Sequence, residues 1–89
     1  MARVTFTPNL RRHVDCPPCE AAGGTVREVL NAVFQENRRA RRYVLDESGE
    51  VRKHMVVFVD GKAVRDRVGL TDPVTDQSDV WIMQALSGG

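Results

Sequence analysis

Apolar residues recur at Val26, Val29, Leu30, Val33 and Phe34. This i, i+3, i+4, i+7, i+8 spacing draws one buried stripe on a helix, and Arg27, Glu28, Asn31, Gln35 and Glu36 fall on the other side. Thr25-Val26-Arg27-Glu28 reads as a capping box, in which Thr25 accepts from the backbone of Glu28 and Glu28 reaches back. Gly23-Gly24 breaks the chain ahead of this helix, and Asn37 predicts its end.

The other segments carry a strand period. Val4-Thr5-Phe6-Thr7 alternates apolar and polar, as a half-buried strand does. Pro8-Asn9 interrupts it, and Leu10 to His13 reads as a turn. Val14 to Ala21 or Ala22 is extended, but Pro17-Pro18 confines it to an edge strand or a polyproline-like path. Arg38 to Arg42, running into Tyr43-Val44-Leu45, reads as a short turn of helix, and Asp46 to Glu50 as a turn. Val51 to Asp60, centred on Met55-Val56-Val57-Phe58-Val59, predicts a central strand buried on both faces. Asp60-Gly61 signals a hairpin, with Lys62 to Arg65 as its short return strand. Residues 66–79 read as a polar loop. Val80 to Leu86 forms the last strand.

The order is thus β-β-α-β-β-β, and one helix stripe needs a sheet to cover it. If the first and last strands are neighbours at the centre they must run parallel, with ample chain between them for the crossover. The predicted fold class is α+β: a ubiquitin-like β-grasp, one amphipathic helix packed on a small mixed sheet. The predicted body spans residues 1–86, with a flexible Ser-Gly-Gly tail over 87–89. Alternation puts Trp81, Met83 and Ala85 on one face of the last strand and Val80, Ile82, Gln84 and Leu86 on the other. A single helix cannot cover both sets, so an exposed apolar patch beside the tail is expected; the pattern leaves open which set forms it.

Composition narrows the function classes. With 89 residues, 42% hydrophobic, 28% charged and a net charge of +1, the chain is one ordinary globular domain with no global field drawing it to nucleic acid or membrane. No apolar run approaches the roughly 20 residues of a membrane helix. The start, Met1 to Phe6, lacks the apolar core of a signal peptide. Together with two cysteines this predicts a reducing, cytoplasmic setting.

Three constellations compete for chemistry. Cys16-Pro17-Pro18-Cys19 has the C-x-x-C spacing of redox and zinc motifs. Polyproline geometry, however, separates the two Cα atoms by about 9 Å, beyond the roughly 7 Å limit of a disulfide. Even with His13 and His54, a four-ligand zinc site is hard to fill. The pair is therefore read as ordinary cysteines, at least one packed as a small hydrophobe. His13 and His54 show no base–nucleophile partner and are not assigned a catalytic role. Arg38, Arg39, Arg41 and Arg42 read as a solvated helix terminus, with a docking patch for an acidic partner or nucleic acid as the alternative.

The sequence closes on Leu86-Ser87-Gly88-Gly89. Two glycines make a thin, pliable thread that can enter a narrow channel and present a carboxylate to another protein. Taken with Val4–Thr7, Gly24-Thr25-Val26-Arg27-Glu28-Val29-Leu30, Val57-Phe58-Val59-Asp60-Gly61, and Asp79-Val80 through Ala85 to Gly88-Gly89, the chain resembles the MoaD/ThiS family of sulfur carriers along essentially its whole length. The added length between helix and central strand, with Tyr43 to Asp46 and His54, is more like the longer CysO-type members. Gln77-Ser78-Asp79 departs from the acidic residue beside glycine usual before the last strand, and Cys-Pro-Pro-Cys is not a general family feature.

The resemblance implies a protein cosubstrate and not an enzyme. Gly89 would be the group adenylated, with ATP and magnesium consumed by a ubiquitin-activating-enzyme-like adenylyltransferase, and converted to a thiocarboxylate. Gly88 would give the tail its reach. No cofactor is held permanently and no metal is expected. Trp81, Met83, Leu86 and Phe58 are the partner-contact candidates. Further implied partners are a sulfur donor protein and a sulfur-accepting synthase, a cysteine-synthase-like PLP enzyme among the candidates, with a metal-dependent peptidase as another. The receiving pathway is left open among cysteine, molybdopterin, thiamine and natural-product biosynthesis. Two alternatives stand beside this reading: a ubiquitin-like modifier conjugated through Gly89, and a non-covalent β-grasp binding module.

Overall fold

The computed structural model describes residues 1–84. Five strands form one sheet: β1 (Ala2–Phe6), β2 (Cys19–Ala21), β3 (Met55–Val59), β4 (Lys62–Ala63) and β5 (Asp79–Gln84), in the order β2-β1-β5-β3-β4. Three helices accompany them: α1 (Pro8–Arg11), α2 (Val26–Gln35) and α3 (Arg38–Val44). β1 and β5 pair in parallel, Val4 opposite Val80 and Phe6 opposite Ile82, and every other pairing is antiparallel. This is the expected β-grasp arrangement, with β5 at the centre of the sheet.

α2 forms where its stripe predicts. Val26, Val29, Leu30, Val33 and Phe34 are all buried, each contributing about 1.5–3 kcal/mol of apolar transfer free energy. Phe34 meets Phe6 of β1 with ring centroids 6.4 Å apart. The capping box differs in one bond. Thr25 Oγ1 accepts from the Glu28 amide at 3.2 Å, but the Glu28 carboxylate takes the amide of Gly24, at 2.7 Å, instead of the cap residue's own. The loop over residues 65–74 completes the helix start: the amides of Val26 and Arg27 donate to the carbonyls of Asp72 and Leu70. Two of the donors that every helix N-terminus leaves open are satisfied this way.

Several boundaries differ from the sequence reading. The predicted turn at Leu10 is the short helix α1, started by Pro8, whose fixed φ and missing N–H suit a first helical position; Leu10 is buried. α2 ends at Gln35, and Asn37 caps the next helix, its Oδ1 accepting from the Ala40 amide at 3.1 Å. The arginine cluster is therefore the body of α3, not the end of α2. β3 is shorter than Val51–Asp60: Val51 instead bridges to Leu45, closing the 46–50 turn. Nor is β3 buried on both faces, because Met55 and Val57 are buried while Val56, Phe58 and Val59 are half-buried. The extended second segment is a strand only over Cys19–Ala21.

Candidate functional site

β5 carries the geometry of interest, because it leads from the centre of the sheet into residues 85–89. Its alternation is settled by what covers each face. Val80 and Ile82 are wholly buried with the α2 stripe, whereas Trp81 and Met83 are 41% and 38% exposed. Across the β3 ladder Trp81 stands opposite Phe58 and Met83 opposite Val56; across the β1 ladder Trp81 stands opposite Thr5. The face away from α2 thus holds an apolar patch of Trp81, Met83, Phe58 and Val56. Val56 is the member the sequence reading missed, and its signal is the two-residue period from Phe58. Of the predicted contact residues, Leu86 lies outside the described residues, as do Gly88 and Gly89 and the predicted 87–89 tail.

The start of β5 is pinned from two sides. Asp60 and Gly61 both adopt positive φ, 50° and 84°, as a two-residue hairpin turn requires. Asp60 accepts from the Asp79 amide through its side chain at 2.9 Å and donates its own amide to the Asp79 carbonyl. The departure at Gln77-Ser78-Asp79 proves structural: buried Ser78 accepts the Thr75 amide on its hydroxyl, and its own amide donates back to the Thr75 carbonyl.

At its far end β5 meets a basic rim. Gln84 pairs with Met55 and lines a hollow of about 270 Å³ with Arg42, Tyr43, Arg52 and His54. The Gln84 Oε1 is buried and has no hydrogen-bond partner among the described residues. Arg52 is held by its Nε donating to the Arg42 carbonyl at 2.8 Å, which joins α3 to the approach of β3. His13 stacks on Tyr43 at 5.9 Å, an exposed ring against a half-buried one.

The cysteines do not join this site. Both are free thiols, Cys16 buried and Cys19 half-buried. The Cys16 thiol donates to the Val14 carbonyl at 3.2 Å. Burial pushes both thiols above their ordinary pKa, for Cys16 against the opposing pull of Arg11. Among the described residues no three His, Cys, Asp or Glu side chains are placed to hold a metal ion, and no helix is long and apolar enough to cross a membrane.

The fold has solved counterparts. A chain of the Amycolatopsis orientalis BexX/CysO complex is 27% identical, with 100% of both chains covered and a TM-score of 0.81. CysO of Mycobacterium tuberculosis is 22% identical, over 97% of this chain and 100% of that one, with a TM-score of 0.79. Small archaeal modifier protein 1 of Methanosarcina acetivorans is 20% identical, over 99% and 95%, with a TM-score of 0.80. The molecule is therefore a ubiquitin-like β-grasp protein. No curated protein sequence matches it, but the profile of the ThiS family matches residues 15–89, and the chain belongs to that family. It is a sulfur carrier, a protein on which partners act and not itself an enzyme.

Proposed function

We propose that residues 1–86 form a body that presents an 87–89 tail, and that Gly89 is the residue on which the chemistry occurs. The observation that carries this reading is the extent of the family match, which runs through the diglycine at residues 88–89. A carboxylate resists nucleophilic attack because its charge repels the incoming electron pair. Activation removes that obstacle: a Gly89 carboxylate oxygen attacks the α-phosphorus of ATP on a magnesium-dependent adenylyltransferase, and pyrophosphate leaves. Sulfide then displaces AMP from the acyl carbon to give the thiocarboxylate. A persulfide donor gives an acyl disulfide first, which a second thiol cleaves to the same product. Gly88 adds no side chain to the thread.

The similarity to a chain of a two-protein complex, BexX/CysO, supports a dedicated protein partner. The patch of Trp81, Met83, Phe58 and Val56 is the seat proposed for the adenylyltransferase, since exposed aromatic and Met side chains concentrate in interface cores. Leu86 would extend the contact toward the tail. A sulfur donor and a sulfur-accepting synthase complete the cycle, with cysteine formation on the carrier the favoured outcome given the CysO-like layout. Two free thiols suit a reducing cytoplasm.

Intact mass spectrometry of the chain purified from its own cells tests the reading. A population carrying one oxygen-to-sulfur exchange, localised to residue 89 by fragmentation, is expected. Covalent ladders that vanish when residues 88 and 89 are deleted, with no exchanged form, would replace the carrier with a modifier. Absence of both would leave a non-covalent binding module.

A further inference from the structure

α3 places four arginines in seven residues, Arg38, Arg39, Arg41 and Arg42. Arg38 and Arg42 are spaced i, i+4 and Arg38 and Arg41 i, i+3, so like charges face one another along the helix at a cost to its stability. Nothing described relieves that cost. Among the described residues the ion pair formed is between the Met1 amino group and Asp76, remote from α3 in sequence. Arg41 is half-buried and, among the described residues, has no carboxylate within ion-pair reach.

These side chains line a surface of defined shape. Arg38, Arg41 and Arg42, with Asn31, Phe34 and Gln35 of α2, enclose an open groove of about 500 Å³. Arg42 is shared with the neighbouring hollow that holds Arg52, His54 and Gln84. The two concavities adjoin at Arg42, which lines both, and Gln84, the last described residue of β5, lines the second. No Asp or Glu occurs in residues 37–45 or 51–59. Asp60, Asp76 and Asp79 stand at the opposite end of β5, and Asp46, Glu47 and Glu50 lie in the turn that follows α3, the Asp46 carboxylate taken up by the amides of Ser48 and Glu50. Arg39 lies apart, beside Glu36 on another groove.

We propose that these adjoining grooves form a docking surface for an acidic, Asp/Glu-rich segment of the protein that receives residues 85–89. The inference rests on the reading of Gly89 as the reacting group and adds what surrounds it. Planar guanidinium forks pair bidentately with carboxylates. A basic field on one end of a domain of net charge +1 orients the molecule as it approaches an acidic rim, raising the association rate more than the final affinity. Protein is favoured over nucleic acid because the groove leaves little aromatic face for bases to stack on: Phe34 is 2% exposed, Tyr43 is half-buried and already stacked on His13, and the exposed Trp81 belongs to the sheet face.

The test uses the full chain and two charge reversals of equal size. Arg38→Glu with Arg42→Glu alters two exposed side chains of the groove; Lys62→Glu with Arg65→Glu alters two exposed side chains elsewhere. Association with the adenylyltransferase is followed by stopped flow at low salt without ATP. The first pair should slow association about tenfold and flatten its salt dependence, and the second should change it less than about twofold. Equal effects, or none, overturn the proposal. In parallel, hexaglutamate titrated into isotope-labelled chain should shift the amides of residues 31–44 and 52–55. No localised shift, or tighter binding of oligothymidylate than of hexaglutamate, also overturns it. A chain that docks with the expected charge dependence but is never adenylated sinks the Gly89 reading and leaves the groove standing. Normal adenylation with unaltered association of the groove variant sinks the groove alone.

Discussion

Phe58 of β3 and Trp81 of β5 stand directly opposite one another on the sheet face away from α2. A cross-strand pair of this kind contributes about 0.2–1 kcal/mol to the fold, a small return for two large aromatic side chains. Trp81→Ala should accordingly lower stability by no more than about 1 kcal/mol while weakening association with the adenylyltransferase at least tenfold. Ile82→Ala, one residue along but wholly buried, should cost about 2–5 kcal/mol. Urea unfolding of both variants, beside binding isotherms, separates the two roles. A Trp81→Ala variant that binds as the parent does removes the patch from the interface.

Asp66 organises the loop that caps α2. Its carboxylate accepts from the Thr71 hydroxyl at 2.7 Å and from the amides of Gly69, Thr71 and Val68. These bonds, the Thr71 hydroxyl foremost, hold its pKa down to about 2. Asp72 is lowered as well, by the amides of Arg65 and Asp66. A pKa lower in the folded than in the unfolded chain stabilises the fold above the unfolded value, near 3.9, and that contribution is lost as pH falls toward the folded value. Stability should therefore drop between about pH 4 and pH 2, and Asp66→Asn should shallow the drop. An NMR titration of the Asp66 carboxyl with a midpoint near the unfolded value would contradict this.

Gly23 has φ of +156°, and a Cβ added there would lie 2.8 Å from both the Glu28 Cβ and the Val29 amide nitrogen. Gly23→Ala should destabilise the domain by about 1–3 kcal/mol. Gly61→Ala is the control: it shares a positive φ but meets nothing within 4 Å, so only the backbone term, about 1–2 kcal/mol, applies. Thermal melts that rank the two the other way would show that the α2 start relaxes around the added methyl.

Because burial raises both thiols, alkylation of the native chain near pH 8 should be slower than that of free cysteine. Cys19, half-buried, should react before Cys16. Peptide mapping after timed iodoacetamide treatment measures this. Rapid, equal labelling of both would mean that the segment around Pro17-Pro18 opens readily.

Gly89→Val tests the tail. The variant should match the parent in stability, since it leaves the described body untouched, yet fail to release pyrophosphate with the adenylyltransferase. Thiocarboxylation at the parent rate would mean that a narrow channel does not set the choice of residue.

Where one pattern dominated, the elements were readable from sequence. The α2 stripe, the Thr25–Glu28 cap, the Asp60-Gly61 hairpin and the parallel crossover all follow from periodicity and turn chemistry. α3 was obscure because its inward residues are only Ala40 and Val44, too few to draw a stripe among arginines. Asn37 compounded the difficulty by sitting where one helix ends and capping the next. The outward face of β5 was undecidable because both alternating sets are apolar. Only the pairing of Val80 with Val4 and Ile82 with Phe6 assigns that set to the core. Residues 66–79 read as a polar loop, yet Leu70 and Val74 within it are buried; two isolated apolar residues carry no period to detect. The chemistry proposed for the tail rests on family resemblance, since a diglycine has no side chain from which to argue.

The parallel seam between β1 and β5 also bears on how the molecule is made. Arg3 must find Asp79 across nearly the whole chain, and until it does β1 lacks its central neighbour and β5 is paired with β3 alone. Such distant pairing slows folding relative to proteins rich in local contacts. On the reading proposed for Gly89, it would also serve as a form of proofreading. A chain that has not closed this seam leads into residues 85–89 from a strand held along one edge only. Sulfur loading at Gly89, as proposed, would then favour finished molecules without a separate inspection step.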